Sequence, residues 1–120
     1  MAAKAWGELL RADIVGLAGF EAVQRCVAGT PTRAVTPSPA TVTAVEEATR
    51  TAIALYFRGI KCLHRSVAVT RLLRRHGVQA DLMIGCRLPP FQAHAWVEVA
   101  GEIVGKEVDG IEYYRVMDRW

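Results

Sequence analysis

Residues 62–99 read CLHRSVAVTRLLRRHGVQADLMIGCRLPPFQAHAWVEV, and the period of their apolar positions changes partway along. Leu63, Val67, Leu72 and Leu73 gather on one side of a 3.6-residue turn, so Cys62 to His76 is predicted to be a helix, closed by Gly77. Beyond Gly77 the period is two. Val78, Ala80, Leu82, Ile84 and Cys86 alternate with Gln79, Asp81, Met83 and Gly85, the pattern of a strand, ended by Pro89 and Pro90. Gln92 to Val99 repeats the pattern, with Ala93, Ala95, Val97 and Val99 set against His94, Trp96 and Glu98. Ala100 and Gly101 suit a tight turn into a third strand, Glu102 to Val108, which would complete a small antiparallel meander. The fold class that follows is α+β.

Upstream of this stretch the chain is helical in pattern. Trp6, Leu9, Leu10, Ile14, Leu17, Val23 and Val27 share one side of a helix between residues 3 and 28, read either as one amphipathic helix or as a pair broken near Gly16 and Gly19. Thr30 to Pro39 holds three prolines and four hydroxyl residues, a connector composition. A further helix runs through Val42, Val45, Ala48, Ala52 and Leu55 to a stop at Gly59. Ser38 with Pro39 supplies one start for it, and Thr43 with Glu46 a second start a turn later. Downstream, the tail from Ile111 to Trp120 fits a helix or a strand. Residues 1–29 thus form an N-terminal helical segment, 30–39 a connector and 40–120 the core.

At 120 residues the chain has the size of one domain, and 52% hydrophobic with 22% charged residues is a globular composition. No apolar stretch approaches the ~20 residues that span a bilayer, and no signal peptide is recognisable, so a cytoplasmic location without a membrane partner is expected. Cys26, Cys62 and Cys86 are odd in number and lack C-x-x-C spacing, which argues against a disulfide scaffold or a structural zinc site and for a reducing compartment. The net charge of +3 is unevenly spread, with seven Arg or Lys and no acid between Glu47 and Asp81. A basic binding module built on Arg58, Lys61, Arg65, Arg71, Arg74 and Arg75 is therefore one reading. Against it, arginines spread around a helix usually form a solvated face, and no base-reading motif accompanies them, so no nucleic-acid partner is expected.

Chemistry enters at Cys62. A thiol held as thiolate is a nucleophile, and the positive end of a helix with a nearby imidazole lowers its pKa. Cys62 opens its helix after the breaker Gly59, with Lys61 and Arg65 adding positive potential, and the unpaired N–H groups of that first turn suit an oxyanion. His94, in mid-strand, supplies a base if a helix packs on the face it shares with Trp96 and Glu98. A two-residue turn at Ala100 and Gly101 sets Val99 opposite Glu102 and His94 opposite Glu107, placing Glu107 where an acid orients the imidazole of a Cys/His/acid triad. A bulge or slip would pass that role to Asp109 or Glu98. Cys26 and Cys86 read as core cysteines, His64 and His76 as solvated or capping residues, and Trp96 as packing with a secondary role as a wall. Cys62 and His64 do not suit a metal, because i and i+2 leave a helix on different sides.

The combination of a CL-x-R helix start, LLRR-x-G, a strand ending in IG-x-R, a Pro-Phe turn and HAWVEV resembles the core of the bacterial transglutaminase-like leader peptidases of lasso-peptide biosynthesis. The resemblance is strong over about a third of the chain. It implies a papain-like, circularly rearranged core in which a cysteine helix packs on a small antiparallel sheet, with Cys62 as nucleophile and His94 as base. The family's aspartate aligns with Lys106, whose neighbour Glu107 is the favoured acid. It also implies a cysteine peptidase without cofactors that removes the leader from a lasso precursor peptide, alongside a leader-recognition protein and a cyclase. The chain's length suits the stand-alone protease, with the N-terminal helices as a docking surface. A different transglutaminase-like acyltransferase or amidase would use the same residues.

Overall fold

The computed structural model describes residues 1–34, 36, 38, 40–55, 62–87, 92–105 and 114–120. The N-terminal pattern resolves as two helices, α1 (Ala2–Gly16) and α2 (Phe20–Ala28), separated at Gly19, whose φ of 100° a side chain would disfavour. α3 covers Thr41–Ala54, and α4 covers Cys62–Arg75. α3 uses neither anticipated cap. Its N-cap is Ala40, without a side-chain bond, and Ser38 instead meets the Thr41 hydroxyl at 3.0 Å while its carbonyl accepts the Thr41 N–H. Its last turn ends near Leu55, and Gly59, the anticipated stop, lies outside the described residues. α4 closes as the sequence dictates: Gly77 takes φ 83°, and the Val78 N–H returns to the Leu73 carbonyl.

Four strands follow, β1 (Asp81–Arg87), β2 (Gln92–Val99), β3 (Glu102–Ile103) and β4 (Arg115–Arg119), in the antiparallel order β3-β2-β1-β4. The turn between β2 and β3 is the anticipated one. Ala100 and Gly101 take φ 52° and 80°, and Val99 pairs with Glu102, because two left-handed residues match the twist of the strands they join. The third strand is shorter than its pattern: the ladder is followed to Val104, whose N–H donates to Val97, and Gly105 then adopts φ 93°. The ambiguous tail is a strand. It pairs along the far side of β1, with a bulge opposite Ile84 and Gly85, so a fourth strand extends the expected meander.

The helices lie on one face of this sheet. Leu9 of α1, Val45 of α3 and Leu72 of α4 form one cluster with Val97, and Val23 and Val27 of α2 join Val67, Leu82 and Ala95 in a second. Each buried aliphatic side chain contributes about 1.5–3 kcal/mol by leaving water. α4 is central to both clusters, and its basic residues are not the solvated face the composition suggests. Arg71 is 6% exposed; its Nε donates to Glu8 of α1 at 2.6 Å, and its Nη1 donates to the Cys26 carbonyl, the Cys26 sulfur and the Thr30 hydroxyl. Arg74 donates to the carbonyls of Val27, Thr30, Ala80 and Trp120. The two guanidiniums add donors to carbonyls at the end of α2, where the Cys26 and Val27 oxygens also accept from the Thr30 hydroxyl and N–H and a positive charge is favoured by the helix dipole.

Two histidine readings separate here. His76 caps α4 as expected, its Nδ1 2.8 Å from the Leu72 carbonyl. His64 is not solvated: it is 15% exposed, 3.9 Å from Asp13, and wedged so closely against Gly16 that a Cβ there would meet its ring at 2.5 Å. The small residue on α1 is what admits an imidazole between two helices.

Arg71→Ala should cost about 3–5 kcal/mol in urea unfolding, because it strands the Glu8 carboxylate, 4% exposed, inside the helix layer. Arg75→Ala, whose side chain is 54% exposed although it also pairs with Glu8, should cost less than about 1 kcal/mol. Equal losses would show that the buried guanidinium carries no special weight.

Candidate active site

Cys62 is the first residue of α4, half-buried and free as a thiol, as are Cys26 and Cys86. It packs at the margin of the cluster that contains Val67, Leu82 and Ala95. Cys26 is not simply apolar filling, since its sulfur and carbonyl both accept from Arg71.

His94 lies on β2 opposite Gly85, and Trp96 lies opposite Met83. Strand alternation puts these four on the side opposite to the Cβ atoms of Ala95 and Val97, which pack against α4. Ala95 and Val97 pack directly against the helices, and Trp96 of the alternate set lines a cavity with Arg65, Ser66 and Val69 of α4. The first turn of α4 nevertheless reaches His94 electrostatically. Burial is the main cause that holds the His94 pKa below its ordinary 6.5, and the positive charge of Arg65, three residues after Cys62, lowers it further. A neutral imidazole is thereby favoured, the form that accepts a proton.

Aromatic rings surround the histidine. The ring centroids of His94 and Trp96 are 6.3 Å apart at 25° between planes, and the Tyr114 ring stands 5.8 Å from His94. Arg87 lies over Tyr114 at 5.7 Å, a cation–π distance. Trp96 is 4% exposed, and its indole N–H donates to Glu98 at 2.9 Å. Glu98, one of the substitute acids, therefore has the tryptophan as its described partner. Glu107, Asp109 and Lys106 lie outside the described residues, as does Lys61. The φ of Gly105 departs from strand geometry, so the register that holds to Val104 is no guide to the residue opposite His94.

Two participants escaped the sequence reading. Tyr114 reaches the site by the pairing of β4 with β1, which no local signal in an ambiguous tail discloses. Gly85 was legible as part of IG-x-R but without a reason; a Cβ there would meet the Trp96 ring at 2.7 Å and the Arg115 carbonyl at 3.1 Å. The glycine is what lets the indole approach β1 so closely.

A cavity of about 270 Å³ adjoins these groups, lined by residues of α3, by Arg65, Ser66 and Val69 of α4, by Trp96 and Val97, and by Val104 and Gly105. Of the basic set, Arg71, Arg74 and Arg75 are engaged within the fold and Arg65 borders this cavity, while Arg58 and Lys61 lie outside the described residues. Among the described residues, no cluster of three or more metal-ligating side chains occurs, and no helix is long and apolar enough to cross a membrane.

A helix begun by a cysteine and packed on an antiparallel sheet that carries a histidine is the arrangement of a transglutaminase-like domain. The model of the transglutaminase-like superfamily matches residues 10–119, nearly the whole chain, and the protein belongs to that superfamily. Over 43 residues it is also 44% identical to the microcin J25-processing protein McjB of Escherichia coli, a stretch that is 36% of this chain and 21% of that protein. The chain therefore matches about a fifth of the length of that curated relative. No solved structure matches it.

Arg65→Gln should raise the His94 pKa toward 6.5 without fully reaching it, since burial remains; a titration of the His94 ring protons by NMR reads the shift. A folded pKa below the unfolded one means that His94 contributes stability above about pH 6.5 that is lost as the pH falls toward the folded value. Gly85→Ala should displace the Trp96 ring at a cost of about 1–3 kcal/mol, visible as a changed near-ultraviolet dichroism. An unchanged tryptophan signal would contradict the close approach.

Proposed function

We propose that the protein is a cysteine peptidase that removes the leader from a lasso-peptide precursor, with Cys62 as nucleophile and His94 as base. The observation that supports this reading is the match of the transglutaminase-like superfamily to residues 10–119, within which Cys62 opens α4 and His94 stands in mid-β2. The partial similarity to a protein that processes microcin J25 supports the substrate class.

In this mechanism the Cys62 thiol gives its proton to His94, and the thiolate attacks the carbonyl that ends the leader. Unpaired N–H groups of the first helical turn stabilise the oxyanion. The C–N bond then breaks, His94 returns the proton to the departing amine of the core peptide, and a thioester remains. Water adds to the thioester carbonyl while His94 takes its proton; the leader acid leaves and the thiol is restored. Glu107 is the proposed orienting acid. A leader-recognition protein and a cyclase acting on the freed amine are the proposed partners, with the precursor peptide as substrate and no cofactor required.

Incubation of the protein with a leader–core peptide, with and without a leader-recognition partner, followed by mass spectrometry, tests the reading. Hydrolysis yields two fragments whose summed mass exceeds the substrate by one water, whereas an acyltransferase would join the leader to an amine. Cys62→Ala and His94→Ala should each abolish cleavage with the dichroism spectrum retained, and Glu107→Ala should cost less than either, because water or a neighbour partly replaces an orienting group. Full cleavage by either of the first two variants would end the proposal.

A further inference from the structure

The cavity beside α4 has a position that neither its volume nor its lining explains alone. Cys62, Arg65, Ser66 and Val69 are spaced i, i+3, i+4 and i+7, which is one stripe of a helix, and the last three line the cavity. His94 and Trp96 are spaced i and i+2, one face of a strand, and Trp96 lines the same cavity. The helix stripe that begins at Cys62 and the indole two residues from His94 therefore border one opening, which Val97 of the opposite strand face also lines. It starts a single helical turn, about 5 Å, from Cys62.

Its size and chemistry restrict the occupant. About 270 Å³ is below the ~300–1,000 Å³ that hold whole small-molecule ligands, and suits one large side chain with its adjoining backbone. Ile53, Val69, Val97 and Val104 give apolar walls, and Trp96 adds an aromatic surface. Of the charged lining residues, Glu46 and Arg50 pair with each other at 3.3 Å and Arg65 stands on α4, so a cationic occupant would meet two guanidiniums and an acid already engaged, and the apolar walls suit an uncharged side chain best.

We infer that this cavity is a specificity pocket for one bulky uncharged side chain, aliphatic or aromatic, of the peptide whose carbonyl Cys62 attacks. The inference rests on the peptidase reading for the reacting carbonyl, and on the cavity alone for the side chain. Ile53 is the specificity residue best placed to tune it, since it stands on α3, away from the reacting groups.

A panel of leader–core peptides, each carrying Ala, Leu, Phe or Glu at one of the three positions on either side of the cut, provides the test. The wild-type protein should prefer Leu or Phe over Ala by roughly tenfold or more in kcat/KM at one position, with Glu no better than Ala. Ile53→Trp should fill the pocket and erase that preference, and Ile53→Ala should shift it toward Phe. Indole N–H resonances of the Cys62→Ala protein, titrated with the same peptides, give a reading independent of turnover, with the Trp96 signal moving for Leu and Phe peptides only. No residue preference at any position, a preference for Glu, or a preference untouched by both Ile53 variants would overturn the pocket. Selective binding without cleavage by the wild-type protein would retain the pocket and overturn the peptidase reading.

Discussion

The Arg71 guanidinium, closed inside the helix layer, is the constraint on which the rest of the molecule leans. It joins α4 to Glu8 of α1 and to Cys26 and Thr30 at the end of α2, and Arg74, one turn face away, ties the same helix end to the last residue of the chain through the Trp120 carbonyl. A buried charge tolerates few geometries, since each lost partner leaves a polar group without water. α4 is thereby fixed in rotation, and with it the direction in which Cys62 opens the helix. The helix that Cys62 opens is thus held by the same buried charge that ties the helix layer together.

The sheet contributes the second half of the site by dividing its faces. Ala95 and Val97 pack against the helices, and His94 and Trp96, which alternate with them, carry the imidazole and the indole. The far face is not left to solvent, because Tyr114, brought in by β4, stands against His94 and Trp96. Partial burial among rings is what holds the imidazole neutral, with the Arg65 charge acting in the same direction.

Much of this was legible locally. The periods of residues 62–99 mark α4, β1 and β2, and the pair Ala100–Gly101 sets the register of the β2–β3 hairpin, because periodicity and turn chemistry act between near neighbours. The start of α3 was less readable: two capping signatures were present, and the helix uses neither, beginning at Thr41 with Ser38 bonded to it from outside. The tail's ambiguity had a similar source, as an amphipathic segment takes the form of whatever it docks on, here the open side of β1.

By itself, then, the order of residues determined the elements, the α+β class and the places of Cys62 and His94 on a helix start and a mid-strand. Tertiary structure alone decided which sheet face the helices cover, that Arg71 and Arg74 serve the interior, and that Gly85 and Tyr114 make room for and enclose the aromatic group. Those outcomes join residues far apart, such as Glu8 and Arg71, separated by 63 positions. A charge or ring so placed finds its partner only when packing closes the distance, and no local period encodes that closure.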